Sequence, residues 1–414
     1  MRNRLHVVLV AMKCSANNRG RHCPLTRKSA HYPVRDLEDR PGWSWVVARF
    51  AERHGSGGRY VGLMAALIDW SVAERTACSL APSSPPVTPD EAAAVVAELL
   101  RCAEEAATHV ARLTHLSEPD VTAETRVVDR PGWIAANTAS MSSVMDPLTN
   151  RLAEAHPPGR ITAAIGGRAT GAQAGAVLAF LSGKVLGQFE FFSAEKGQLL
   201  LVAPNVVSVE QSLKVHPADF RLWVCLHEVT HRVQFSAVAW MRQHMLDEIS
   251  ALTQAIDVEP GAMLDRLRSG LSELVKTARN GSDRHSGEGL IAAFAPPEAR
   301  EILDRVTGFM SLVEGHAEYV MNAVEPGVIP SQPEIERKFA ERRRRGANPF
   351  DRLMRNLLGL DAKTRQYTQG SAFVRQVVDR IGLDSFNAVW AGPSNLPTKV
   401  EITNPAHWIK RVHG

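Results

Sequence analysis

His227 and His231 stand four residues apart, with Glu228 beside the first, in the run Leu226-His227-Glu228-Val229-Thr230-His231. On a helix, residues four apart project from one face, so both imidazoles can bind one zinc ion. Glu228 then sits where a carboxylate can take a proton from an attacking water and return it to a leaving amine. The ion would polarise the carbonyl and bring a bound water's pKa toward neutrality. Two histidines leave the site incomplete, because catalytic zinc usually has three protein ligands and an open position.

The third ligand has to come from further along the chain. In the extended pattern H-E-x-x-H-x-x-G-x-x-H, Gln234 occupies the glycine position and Ala237 that of the last histidine, so that pattern is excluded. Glu248 follows in a run without Gly or Pro that reads as one helix from His216-Pro217 to at least Thr253. A continuous helix would carry Glu248 roughly 25 Å from His231, out of reach. Glu314 and Glu318 are better placed, four apart on one helical face and flanked by Leu312, Val313, Val320 and Met321. Carboxylates on an apolar helix are costly to bury unless paired or metal-bound. Glu314 is therefore read as the third ligand, and Glu318 as the acceptor for a ligating histidine's free N–H. A salt-bridged, half-exposed helix is the competing account of this segment.

Two residues are candidate donors to a developing oxyanion. His316 lies about 200° around the helix from Glu314, so the two do not share an ion. Tyr367 follows a loop-like stretch, Asp361–Thr364, from which it could swing over the site. Thr230 and Gln234 lie beside the ligands, but backbone capping explains both equally well, and neither is assigned a role.

The elements that must position these groups are mainly helical. Helical spacing runs through residues 41–80 and a Pro/Ser break covers Ala81–Pro86. Thr88-Pro89-Asp90-Glu91 opens a helix to about Leu116, with Thr88 as N-cap. Val127–Trp133 reads as a strand stub and turn before a helix from about Ile134 to Ala155. Gln188–Phe192 and Leu199–Ala203 are the convincing strands, forming a hairpin around Glu195-Lys196-Gly197. A Gly/Ser-rich loop, Asn280–Gly289, precedes a helix from near Pro297 that ends at Pro326-Gly327. Further loops are expected at Gly346–Pro349 and Gly392–Pro397. Four regions result: a basic, disordered tail (1–40), an N-terminal helical region (41–158), a catalytic region (159–325) and a C-terminal helical region (326–414).

Composition narrows the function classes. Of 414 residues, 44% are hydrophobic and 22% charged, ordinary for a globular protein. The net charge of +4 is concentrated in residues 1–40, which hold nine Lys or Arg against three Asp or Glu. The rest is slightly acidic, which argues against a nucleic-acid partner. Arg337-Lys338 and Arg342–Arg345 are interspersed with Glu334, Glu336 and Glu341 and read as a solvated helix face. Five scattered cysteines without C-x-x-C spacing suit a reducing compartment, and the cytoplasm is expected. Leu5–Met12 is apolar but short and lacks a small-x-small cleavage site, so it is not read as a signal peptide. Ala169–Gly183 is too short to span a bilayer and reads as a buried helix of small residues.

HEVTHRVQF followed by VEGHAEYV resembles the gluzincin-type metallopeptidases, in which the glutamate of an E-G-x-A-x-Y segment completes the zinc site. More closely, the chain resembles an actinobacterial family of zinc-dependent metalloproteases or hydrolases labelled as associated with coenzyme F420 biosynthesis. The landmarks are Ile68-Asp69-Trp70, Val128-Asp129-Arg130-Pro131-Gly132-Trp133, the two zinc segments and Tyr367–Val374, over about residues 60–390. This resemblance implies a zincin-like α+β fold with a small sheet beside the active-site helix, Zn2+ as cofactor and a peptide or amide as substrate. An edge strand of the Gln188–Ala203 hairpin could pair with an extended peptide. Two alternatives keep the zinc: an amidase acting on a small molecule, and a non-catalytic scaffold. Structural zinc normally takes four ligands and prefers cysteine, which favours catalysis.

Overall fold

The computed structural model describes residues 68–118, 123–155, 160–192, 196–255, 296–345 and 360–414. The basic tail, most of the helix expected over 41–80, and the loops at 280–289 and 346–349 lie outside the described residues. Helix α1 (Trp70–Leu80) starts at Asp69, whose carboxylate accepts from the Val72 N–H at 3.0 Å. Helix α2 (Pro89–Thr114) opens with a full capping box: Thr88 accepts from Glu91 N–H, and the Glu91 side chain accepts from Thr88 N–H. Strand β1 (Glu124–Val128) leads into α3 (Arg130–Ala155), and α4 (Arg160–Ser182) follows. The small residues of α4 let it lie directly against α1.

Strands β2 (Gly187–Glu190) and β3 (Gln198–Val202) form the expected antiparallel hairpin, with Phe189 opposite Leu199. The sheet has a third member. β1 pairs parallel to β3, Val128 opposite Val202, giving the order β1-β3-β2. β3 is thus central and apolar, and β2 is an edge strand.

Helix α5 (Ala203–Leu213) leads to α6 (Pro217–Ala237), which carries the histidine pair, and α7 (Trp240–Ala255) comes next. One continuous helix was expected here. The helix instead breaks at Val238, without Gly or Pro, because Val238 turns into a core with Met241, Phe309 and Leu312. Helix α8 (Pro297–Ala323) carries the glutamates, and α9 (Gln332–Arg345) returns over α6. Helix α10 (Leu360–Ile381) packs along α8, and short helices α11 (Leu383–Phe386), α12 (Lys399–Thr403) and α13 (Pro405–His413) close the C-terminus.

One apolar cluster joins α2, the sheet, α5, α6 and the ends of α8 and α9. A second joins α7, α8, α10 and the C-terminal helices, with α8 shared by both. The metal-motif helix α6 and the glutamate helix α8 meet at the seam between them. No helix among the described residues is long and apolar enough to cross a membrane.

Candidate metal centre

Three ligand atoms converge at that seam. His227 Nε2 and His231 Nε2 are 3.2 Å apart, and each is 3.4 Å from Glu314 Oε2. Ligands about 2.0–2.1 Å from a tetrahedral zinc stand roughly 3.3–3.4 Å from one another. The triangle therefore has the edge length of one face of a zinc tetrahedron, and its chemistry (two imidazoles, one carboxylate) is that of a catalytic site with an open position. Among the described residues this trio forms a group able to hold a metal ion.

Electrostatics agree with that geometry. Burial alone would raise the Glu314 carboxyl, yet the two imidazoles hold it well below the usual range. Burial opposes a charged His231, but Glu314 outweighs it and raises the imidazole.

Gln234 fixes the ring of His231. Its Oε1 accepts from His231 Nδ1 at 3.0 Å, which leaves the His231 Nε2 lone pair free for a metal. Its amide nitrogen donates to the Val313 carbonyl at 3.0 Å and to His316 Nδ1 at 2.9 Å. Gln234 thus ties the histidine helix to the backbone next to Glu314. It shares a helical face with His227 and His231, the position beside the ligands that the sequence left without a role. Thr230 instead bonds back within its own helix, its hydroxyl donating to the Leu226 carbonyl at 2.7 Å. His227 Nδ1 lies 3.1 Å from Met321 Sδ.

These partners correct two expectations. Glu318 does not accept from a ligating histidine; both Nδ1 atoms are engaged elsewhere, and Glu318 lines the cavity beside the metal. His316 is fully buried, between the rings of Phe386 and Trp390 and outside that cavity. Burial pushes its pKa down to about 3, so the ring is neutral and its Nδ1 accepts from Gln234; its place in the core, away from the cavity, is what takes it out of reach of an oxyanion there. The loop expected over Asp361–Thr364 is instead the start of α10, on which Tyr367 follows; the Tyr367 side chain lies outside the described residues. Glu248 is indeed away from the centre, but because it pairs with Arg305 at 2.8 Å on the far side of the α6–α7 break.

Two close backbone approaches set the site's shape. A Cβ on Gly315 would fall 2.1 Å from the Gly370 carbonyl carbon, and one on Gly370 would fall 1.8 Å from the Ser311 carbonyl oxygen. Only glycines let α8 and α10 cross this tightly, one residue from the ligand Glu314. On the other side, a Cβ on Gly187 would come 2.6 Å from Glu228 Cγ, so the edge strand lies directly against the candidate base.

A cavity of about 340 Å³ opens at His227 and Glu228. Leu186 and Trp223 form part of its wall, Glu318 and Met321 come from α8, and Glu336 and Phe339 from α9. Trp223 and Phe339 meet edge to face at 5.2 Å. Ser331, just before α9, donates from both N–H and hydroxyl to Asp219 at the start of α6, at 3.0 and 2.7 Å.

Zincin-like metallopeptidases match this sequence over residues 68–409, which include all three candidate ligands and Glu228. The chain belongs to that family. Among solved structures it is similar to a protein from Chloroflexus aurantiacus whose crystal structure is described as that of a candidate hydrolase with a novel fold. The two share 29% identity and a TM-score of 0.61, over 84% of this chain and 99% of the other. No curated protein matches the chain. Family and neighbour together support a zinc hydrolase.

Proposed function

We propose that this protein is a zinc-dependent peptidase acting on short peptides or comparable amides, with the cytoplasm as its compartment. The observation that carries the reading is the zinc-sized triangle of His227, His231 and Glu314 with Glu228 buried at its edge. When bound, zinc supplies a Lewis acid that polarises the scissile carbonyl and acidifies water. Glu228 takes the proton of the attacking water and delivers it to the leaving nitrogen. Gly187 and Leu186 bring the free edge of β2 to the cavity, where backbone N–H and C=O groups can pair with an extended substrate. Helix α9 walls the opposite side and limits substrate length, which also suits a compact non-peptide amide.

The test begins with metal content. Protein purified without added zinc is analysed for bound metal as wild type, His227→Ala and Glu314→Ala. About one zinc per chain in wild type, lost or much weakened in both variants, is the expected result. A peptide-library screen with Glu228→Gln as control then reads hydrolysis. Absence of metal even after zinc is supplied would overturn the reading.

A further inference from the structure

Resting on the hydrolase reading above, we propose that the cavity selects substrates carrying a positive charge, held by Glu318 and Glu336. Helix α8 presents Glu314, Glu318 and Asn322 at intervals of four, so one face runs from the metal ligand along the cavity wall. Glu318 stands one turn, about 6 Å along the axis, from Glu314. Glu336 faces the cavity from α9, its Oε1 steadied by the Gln332 amide at 2.8 Å.

Charge balance gives these two carboxylates their meaning. A divalent ion offsets Glu314 and Glu228, leaving Glu318 and Glu336 as net negative charge in the cavity. No lysine or arginine lines it. Two cations of α9 are engaged elsewhere: Lys338 with Glu334 at 2.5 Å and the Lys214 carbonyl at 2.8 Å, Arg337 with Glu341 at 2.9 Å. The remaining wall is apolar and aromatic, Trp223 against Phe339, and aromatic faces favour a cation over an anion. Trp223 is 8% exposed and its indole N–H has no partner among the described residues, a donor that a substrate carbonyl would satisfy. A cavity combining carboxylates, aromatic rings and a buried donor fits an ammonium or guanidinium group attached to an amide. The cation can be the α-ammonium of a peptide's N-terminus or a basic side chain.

Hydroxamate probes test this without requiring turnover, since they bind through the metal. Isothermal titration of the zinc-loaded protein would compare three: N-acetyl-norleucine hydroxamate (neutral), norleucine hydroxamate (free α-ammonium) and Nα-acetyl-lysine hydroxamate (side-chain ammonium). We expect one charged probe to bind about tenfold tighter than the neutral one, an advantage that falls to about twofold or less in Glu318→Gln/Glu336→Gln with zinc content intact. Which charged probe wins identifies the source of the cation. Equal affinity for neutral and charged probes, or a preference that survives the double substitution, overturns the proposal. Tight binding of the neutral probe that disappears in His227→Ala would leave the metal reading standing in that case. Failure of every probe to bind would sink both.

Discussion

Two regions of this molecule bury polar side chains densely, and they do so in opposite ways. At the corner formed by Asp129–Trp133, each group finds a partner inside the fold. Arg130 Nε donates to Asn205 at 2.7 Å and its Nη1 to the carbonyls of Pro82 and Ser83 at 2.9 and 2.6 Å. The Asn205 amide donates onward to the carbonyls of Ser182 and Val185 at 2.7 and 2.6 Å. Trp133, Gln188 and Asn137 continue the chain of bonds to β2. At the metal centre Gln234 ties His231, the Val313 carbonyl and His316 together, but the inner three atoms, ready to act as ligands, converge on one point. Donors meeting acceptors build a scaffold. Ligand atoms meeting on one point ask for a cation.

The difference can be broken from either side. The largest effect belongs to Glu228, the candidate base beside the two imidazoles. Glu228→Gln should lower kcat/KM by about 10²–10⁴-fold while metal content and thermal stability stay near wild type. Steady-state kinetics beside elemental analysis would read this, and unchanged turnover would remove Glu228 from the chemistry. At the corner the expectation is reversed. Asn205→Leu strands Arg130 Nε and the carbonyls of Ser182 and Val185, and should cost about 2–4 kcal/mol of stability by urea unfolding. Zinc stoichiometry in the remaining folded protein should not change. If Asn205→Leu emptied the metal site at full stability, the division into scaffold and site would be wrong.

Local features were legible in the sequence, and features set by tertiary contact were not. The Thr88 N-cap, the histidine spacing and the hairpin each depend on residues close along the chain. By contrast, β1 joins β3 from 74 residues away, across two helices that give no hint of it. The break at Val238 has no Gly or Pro to announce it, because what ends the helix is burial against α8. Glu314 and Glu318 look alike in sequence, as two carboxylates on one apolar face. The E-G-x-A-x-Y resemblance picks out Glu314, and the docking of α8 on α6 supplies the physical reason: it brings Glu314 to both imidazoles and leaves Glu318 facing the cavity. His316 was misjudged for the same reason: its position opposite Glu314 turns it into the core of α10 and α11, where it serves Gln234.

Gln234 gives the next test, smaller than the first two and specific to the centre. It holds the His231 tautomer without being a ligand, so Gln234→Leu should weaken zinc binding by about 10–100-fold in chelator competition. Gln234→Glu retains an acceptor for His231 Nδ1 and should restore part of the affinity. A leucine variant with undiminished affinity would mean that packing alone orients the ring. The comparison would then lose its claim that the outer bonds of the centre exist for the ion.

The smallest effect separates the regions by pH. Asp129 caps α3 by accepting from Gly132 N–H at 2.6 Å, yet burial raises its pKa to about 6 from a usual 3.8. A carboxyl whose pKa is higher in the fold than in the unfolded chain favours folding while protonated. That contribution is complete below about pH 4 and is lost as pH rises toward about 6. Asp129→Asn keeps an oxygen for Gly132 and carries no charge to desolvate. Relative to wild type it should therefore gain about 1–3 kcal/mol between pH 4 and pH 7, read as the change in the difference between urea-unfolding free energies. A difference that stays flat across this range would show that the Gly132 hydrogen bond already compensates the buried charge. Either way zinc affinity should not follow, because this titration belongs to the scaffold and not to the converging ligand atoms.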